Sequence, residues 1–474
     1  MIKLFIILLN FILVPATFSQ DNYYIWHWHL NYGFDKSSLK TLQSIPIKGL
    51  FLHSGKFSRI DNSPSFEGIK KRGNFINDIK SLENYFEEIH LCYTFGNTST
   101  NQFVRKYLNT QPKKAIDYIT NRISDNFNFY KSLNKKIQGI QIDLEGSGIN
   151  FDIYKQLILN IKKTIKPKYV SITPMSSWIK KTKFKKLVRE CDFIVPMLYD
   201  YFRGKTPQQK LKVTDYHWLK SMVTKYATLD TKVIHGLPTY SYSILYDHKN
   251  KMRVPWAVYN PNSVTENKRF KLTNSTYGTS NNQNMRDRVI SYQSIGDFSF
   301  KSQSFKKNST MKYNFVSASA LSQYIEAIRS MSSDKDTNIA FFRYGKPSEE
   351  LVLTAKKLKQ AVRSSFPATF KLSIKKLATD NGFYLVFKNL GSSTYFGKTG
   401  FKLKFTDSTL MDSNSDFDSY TNTELIEDYF QNSEILVTPK FLKNPHFSLQ
   451  FILENGITIN KEILMNKDHL ILTK

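Results

Sequence analysis

The stretch Gln138-Gly139-Ile140-Gln141-Ile142-Asp143-Leu144-Glu145 holds the pattern best suited to chemistry. In a strand, successive side chains point to opposite faces. Gly139, Gln141, Asp143 and Glu145 therefore share one face, and Ile140, Ile142 and Leu144 take the other. Two carboxylates two residues apart on a strand lie about 6–7 Å apart at Cα. At that spacing the charge on one raises the proton affinity of the other, and a raised pKa suits a general acid near neutral pH. Glu145 is longer and nearer the strand end, which makes it the candidate acid. Asp143 is deeper and is the candidate orienting group. The competing reading is a structural carboxyl pair bonded to its neighbours.

Such a pair needs elements that aim it. Short apolar runs recur at Tyr23–Leu30, Ile47–His53, Ile89–Phe95, Ile137–Glu145, Tyr169–Thr173, Phe193–Tyr199, Lys232–Pro238 and Asn338–Arg343. They are nearly continuous in apolar content, as parallel strands covered on both faces are. Helix-like stretches lie between them. Phe151–Lys166 spaces Tyr154, Leu157, Ile158 and Ile161 as one helix face, and Ser348–Val362 opens on a Pro-Ser-Glu-Glu start signal. Eight strand–helix repeats predict an α/β fold, a (β/α)8 TIM barrel over 20–366, with the carboxylates at its C-terminal mouth. A doubly wound open sheet is the alternative, but the first strand lacks a glycine-rich phosphate turn. Residues 239–315 are rich in Asn, Ser, Lys and Tyr and read as an insertion after strand 7, followed by a helix near Ser317–Met331. From 367 to 474, Phe370, Leu372 and Ile374, and then Phe383, Leu385 and Phe387, alternate with polar residues. With Asn381-Gly382 and Asn455-Gly456 as turns, they predict a C-terminal antiparallel, sandwich-like β domain.

These motifs, in this order, resemble glycoside hydrolase family 18, the chitinase-like barrels. The chain looks closer still to a set of uncharacterised secreted bacterial barrel proteins of that design. The family's fourth-strand pattern is D-x-x-D-x-D-x-E; Asp143 and Glu145 match its last two acids, while Gln138 and Gln141 stand at the first two. Met197-Leu198-Tyr199-Asp200 matches the sixth-strand M-x-Y-D, and Gly236-Leu237-Pro238-Thr239-Tyr240 is similar to the seventh-strand G-x-P-x-Y. The resemblance spans roughly residues 22–362 and implies an α+β subdomain after strand 7. It also implies a substrate-assisted retaining hydrolysis of N-acetylhexosamine-containing glycans. Glu145 would protonate the glycosidic oxygen, Asp143 would hold the acetamido N–H, Tyr199 would bond its oxygen, and Asp200 would support the pocket. Gln141 and Met197 would line the same site. The family's eighth-strand tryptophan is missing; Phe342 or Tyr344 stands in that region. A non-catalytic glycan-binding protein on a degenerate barrel is the other function these departures allow.

Aromatic residues near strand ends, Trp28, Tyr93, Trp178 and Tyr240 with Trp26, are sugar-stacking candidates, with core packing as the rival use. His27-x-His29 fits metal ligation only with further ligands, and the fifth, sixth and eighth strands carry no histidine, so neither metal nor cofactor is expected. His53, His90 and His235 read as local structural partners. No G-x-S-x-G elbow or Walker sequence occurs. Residues 1–19 read as a secretory signal: Lys3, an apolar run too short to span a bilayer, and small residues at Thr17 and Ser19. The protein is then exported, to the periplasm, the cell surface or beyond, with no integral membrane association. Export leaves nucleic acid an improbable partner for a net charge of +29. Compositional bias or an anionic envelope polymer accounts for that charge instead. Cys92 and Cys191 sit in apolar runs and read as buried thiols.

Overall fold

The computed structural model describes residues 21–362 apart from 30–32, 61–62, 69–77, 97–102, 104–106, 147, 255–263, 265–266, 268, 278–287, 301–302, 333–336, 347–348 and 350. Beyond these it describes the backbone of separate strands between Lys371 and Thr473. The expected signal segment and Phe370 lie outside the described residues.

The first strands are β1 (Asn22–His27), β2 (Ile47–Ile60), β3 (Ser63–Gly68), β4 (Glu88–Phe95), β5 (Ile137–Asp143), β6 (Tyr169–Ile172), β7 (Phe193–Ile194), β8 (Lys232–Val233) and β9 (His235–Pro238). The chain then forms β10 (Tyr242–Tyr246), β11 (Met252–Val254), β12 (Phe270–Tyr277), β13 (Arg288–Ser294), β14 (Phe298–Phe300), β15 (Gln303–Phe305) and β16 (Thr310–Phe315). It returns as β17 (Asn338–Phe342). The main sheet runs β8-β7-β6-β5-β4-β2-β1-β17-β9, and β3 folds back on the long outer end of β2. Segments β8 and β9 are consecutive parts of one run; the first pairs with β7 and the second with β17, both in parallel. Met197 bridges Gly236 across the same gap, so the ring closes as a TIM-like barrel of eight strand positions.

Strand parity sorts the core into two layers. Tyr24, Trp26, Phe51, Phe193, Val195, Ile234 and Ala340 form a cluster of their own within the ring. Tyr23, Ile25, Leu50, Leu52, Ile89, Leu91, Ile140 and Ile142 join the larger cluster that includes the helices. Helix Phe151–Ile165 buries Tyr154, Leu157, Ile158 and Ile161, starts on an Asn150 cap that accepts the Asp152 N–H at 3.0 Å, and ends on Lys166 at φ 53°. Helix Ala318–Arg329 starts on Ser317, whose hydroxyl accepts the Ala320 N–H at 3.1 Å. Cys92 and Cys191 are buried and unpaired.

Two expectations shift. The ladder of β7 is two residues long because Pro196 has no N–H to continue it, and the strand resumes only as the Met197–Gly236 bridge. The last barrel helix begins at Ala355, well after Ser348. Leu351–Leu353 instead run beside Thr239–Ser241, with Ser241 N–H donating to Leu351 O and Leu353 N–H to Thr239 O, each at 2.7 Å.

After strand 7, β11-β10-β16-β13-β12 form an antiparallel sheet; its core includes Leu245, Ile290, Tyr292, Met311 and Tyr313. The C-terminal β domain holds two four-stranded antiparallel sheets. One contains the hairpin Lys371–Thr379/Gly382–Asn389, with Thr379 opposite Gly382, and the other pairs Ile452 with Thr458.

Candidate active site

The inner face of β5 rises toward the mouth as Gly139, Gln141 and Asp143. Only glycine fits at 139, because a Cβ there would meet His90 Nδ1 at 1.9 Å. Gln141 is fully buried; its Oε1 accepts the Trp26 indole N–H at 2.6 Å, while its Nε2 has no partner among the described residues. Asp143 is 2% exposed and accepts a hydrogen bond from the Thr173 hydroxyl at the end of β6. Glu145 stands two residues beyond the Asp143 that ends β5, and Gly146 then turns the chain at φ 143°.

Burial raises the proton affinity of both carboxyls, because each charged form is stripped of water. The hydrogen bond between them then separates the two. Together with the Thr173 hydroxyl it holds Asp143 down, while the negative charges of Asp143 and Asp200 push Glu145 well above the usual range against the opposing pull of Arg203. The two carboxyls therefore titrate as a coupled pair, with both drawn toward the protonated form and Glu145 pushed further by its negative neighbours.

Asp200 closes this wall. Its backbone takes the left-handed φ of 58°, and its carboxylate accepts from the Tyr240 and Tyr242 hydroxyls and from Arg203 Nη2. Tyr199 is 8% exposed and stacks on Phe342 at 5.2 Å between ring centroids, with Tyr240 edge-on at 5.9 Å. Burial and the nearby carboxylates raise its phenol strongly, so the hydroxyl remains a donor. Phe342 also meets Trp26 and Trp28 edge-on at 5.6 and 5.1 Å, which puts it at the site. Tyr344 points away, stacked on His27.

The structure thus brings Gln141, Asp143, Glu145, Tyr199, Asp200 and Tyr240 to one region. Met197 is part-buried below them at the bridge to Gly236. Trp28 is partly exposed, its ring stacked on His53 at 4.6 Å. Tyr93 and Trp178 stand elsewhere, between strands and helices. Tyr93 donates to Asn126 Oδ1 at 2.8 Å on helix Pro112–Leu133, and Trp178 is wedged against Phe151 at 5.1 Å and Phe184 at 5.9 Å. Neither presents a face at the mouth, because the parity of β4 turns Tyr93 outward and Trp178 lies buried in a short 3-10 turn under a helix. Thr173, Tyr242 and Arg203 were not singled out from the sequence. The signals were slight: a hydroxyl at a strand end, a tyrosine two residues past Tyr240, and an arginine three past Asp200.

His27, on the outward face of β1 with Tyr23 and Ile25, is fully buried between Phe34 and Tyr344, and burial pulls it down to about 3. His53 bonds Trp28 O at 3.0 Å and Thr94 Oγ1 at 3.2 Å, and burial holds it near 4. His29 joins Arg343 and Glu349 in an ion-pair cluster. Among the described residues no group of three His, Cys, Asp or Glu could hold a metal ion.

No family model matches the chain, and no curated protein matches it by sequence. Solved structures are similar to it. The spore cortex-lytic enzyme SleL of Bacillus cereus is 11% identical over 73% of this chain and 75% of its own, with a TM-score of 0.46. A chitinase of Chromobacterium violaceum is 10% identical over 73% and 99%, also with a TM-score of 0.46. Catalytic domain 2 of an Ostrinia furnacalis Group II chitinase is 10% identical over 72% and 96%, again with a TM-score of 0.46.

Proposed function

We propose that the protein is an exported glycoside hydrolase acting on N-acetylhexosamine-containing glycans, with Glu145 as general acid. The observation that carries this reading is the carboxyl pair at the end of β5, buried Asp143 beside part-buried Glu145, in which desolvation and neighbouring negative charge raise Glu145 above the usual carboxylate range. Glu145 delivers its proton to the glycosidic oxygen as the bond to the anomeric carbon breaks. The substrate's own acetamido oxygen attacks that carbon, giving a cyclic intermediate that water opens with retention. Asp143 accepts the acetamido N–H. The Tyr199 hydroxyl donates to the acetamido oxygen, and Asp200, fixed by Tyr240, Tyr242 and Arg203, supports the pocket. Phe342 and Trp28 offer aromatic surface to a sugar ring.

A second reading, glycan binding without turnover, is favoured by Gln141. This side chain accepts the Trp26 indole N–H beside Asp143 on the inner face, and as an amide it does not ionise and cannot exchange a proton with Asp143 as a carboxyl would. A panel of N-acetylated and non-acetylated oligosaccharides, incubated with the protein and with Glu145→Gln, separates the two. Reducing ends released by the parent alone support the hydrolase. Saturable binding without release supports the binding protein, and neither result leaves the glycan reading without support. An anionic envelope polymer is a further partner proposed for the +29 chain; binding to it that ignores ionic strength would argue against the charge as its cause.

A further inference from the structure

The surplus of positive charge is not spread evenly along the chain. Residues 153–189 hold ten lysines and one arginine and no aspartate or glutamate. More than a third of the net charge of +29 thus falls on under a tenth of the sequence. A general bias toward lysine would leave acids interspersed. Helix Pro112–Leu133 shows that pattern, with Lys113, Lys114, Arg122 and Lys131 answered by Asp117 and Asp125.

The fold presents the run on one flank of the barrel. Helix Thr182–Val188 turns Phe184, Leu187 and Val188 into the core and leaves Lys183, Lys185 and Lys186 exposed, with Lys180, Lys181 and Arg189 exposed at its ends. It packs beside helix Phe151–Ile165, whose last turn adds Lys162 and Lys163. Acids from outside the run answer only part of it. Glu190 pairs with Lys155 at 2.7 Å, Asp192 with Lys162 at 2.9 Å and Asp152 with Lys183 at 2.5 Å. Lys163, Lys180, Lys181, Lys185, Lys186 and Arg189 make no ion pair among the described residues. Where the two helices start, Ile149, Asn150, Phe151, Lys181, Thr182 and Lys183 line a shallow cleft of about 370 Å³.

The chemistry of this face narrows what it fits. Lysine binds phosphate as a point charge, whereas carboxylate recognition favours the planar fork of arginine. One small anion gains little from any single flexible ammonium. A chain of closely spaced phosphates meets several at once, and each contact after the first is intramolecular. The neighbouring rings of Phe151, Trp178 and Phe184 are buried and so closed to a stacking nucleic-acid base. Leu159 is the one large apolar side chain exposed on these two helices, too little apolar surface to enter a bilayer.

We propose that the flank formed by helices Phe151–Ile165 and Thr182–Val188 is a docking surface for a linear polyanion carrying phosphate on each repeat. The proposal rests on the anionic-polymer reading above, which it deepens by placing that partner on one face, and it is independent of the hydrolase.

The test uses the full chain and long-chain polyphosphate, with affinity measured by calorimetry. Between about 50 and 200 mM salt the parent should weaken about ten- to a hundredfold, as release of counterions from a few phosphate contacts requires. Lys180→Gln, Lys181→Gln, Lys185→Gln and Lys186→Gln together should weaken binding at the lower salt by about tenfold or more. A control removes the same charge elsewhere, by Lys113→Gln, Lys114→Gln, Lys131→Gln and Lys135→Gln, and should lose no more than about threefold. Melting temperatures check the fold of both variants. Equal losses in the two variants, or a flank variant that binds like the parent, overturn the surface and leave the anionic partner standing. A parent that does not bind polyphosphate removes the surface and that partner together. Phosphatidylglycerol vesicles or single-stranded DNA held more tightly than polyphosphate at the same salt overturn the polymer as occupant.

Discussion

One wall of the barrel mouth, from β5 and the segment after β7, gathers Asp143, Glu145 and Asp200. The ends of β1 and β2 gather a set of histidines instead, His27 on the outward face of β1, His29 just beyond it and His53 stacked on Trp28. Burial acts on both. It raises the carboxyls of Asp143 and Glu145 toward their protonated form and lowers His27 and His53 toward their deprotonated form, so each side is driven to neutrality. Their partners differ. His27 meets rings and His53 meets a backbone carbonyl and a threonine, contacts that fix a side chain without giving its proton anywhere to go. The carboxyls meet each other, so the state of one sets that of its neighbour. A titratable group in a barrel mouth becomes chemistry through such coupling, not through burial alone.

The largest expected break in this contrast is Glu145→Gln, which should reduce turnover of any oligosaccharide the protein cleaves by about 10²- to 10⁴-fold. His27→Phe, on the outward face of β1, should leave it within a few fold. Comparable losses at both positions would erase the distinction.

Next is Thr173→Val. Asp143 loses the hydroxyl that favours its ionised form, so its proton affinity rises further. A hydrogen bond to a charged group is worth about 1.5–3 kcal/mol, or about one to two pH units. The acid limb of the pH–rate profile should move up by that amount, and an unmoved limb would mean that Thr173 does not hold the reacting form of Asp143.

The buried histidine should show in stability. Unfolded His27 takes up a proton below about pH 6.5, whereas the buried ring resists until about 3. The unfolded state therefore binds more protons in that window, and stability is lost as pH falls through it. Replacing His27 by Phe should make the decline shallower by up to about 1.4 kcal/mol per pH unit, as read by denaturant titration between pH 6 and 4.

The smallest effect belongs to the part-exposed cluster that ties β1 to the segment after β17. There burial alone would raise Glu349, but hydrogen bonds from His29 and Arg343 bring it to about 2. Arg343→Met should cost on the order of 1 kcal/mol in thermal denaturation. A loss several times larger would show that this rim, and not the core beneath it, clamps the barrel shut.

Much of the fold was legible in advance. Apolar runs such as Ile89–Phe95 and Tyr169–Thr173 are long enough to identify themselves as covered strands, and a two-residue period needs no tertiary information. Boundaries were less legible where a neighbour overruled the local pattern. Pro196 cut the sixth strand short, and Leu351–Leu353 gave up their place in a helix to lie beside Thr239–Ser241. Within the site, Asp143 and Glu145 could be picked out by type and spacing, and Asp200 only through the resemblance carried by Met197-Leu198-Tyr199-Asp200. Tyr93 shares its parity on β4 with Ile89, Leu91 and Phe95, the apolar set that faces the helices, and the register with β5, which sets Cys92 against Gln141 and Thr94 against Asp143, agrees with that outward direction.

By itself the sequence determined that Gln141, Asp143 and Glu145 lie on one side of one strand, since the alternation is a property of the extended backbone and survives any packing. Tertiary structure alone decided what that side meets. Thr173 reaches Asp143 from the next strand, and Tyr240, Tyr242 and Arg203 converge on Asp200 from both sides of the seventh. Closing the ring brought those groups together, with Asp143 buried and Glu145 and Asp200 part-buried. Each carboxyl's charge bears on the other's proton affinity because burial weakens the screening by water between them.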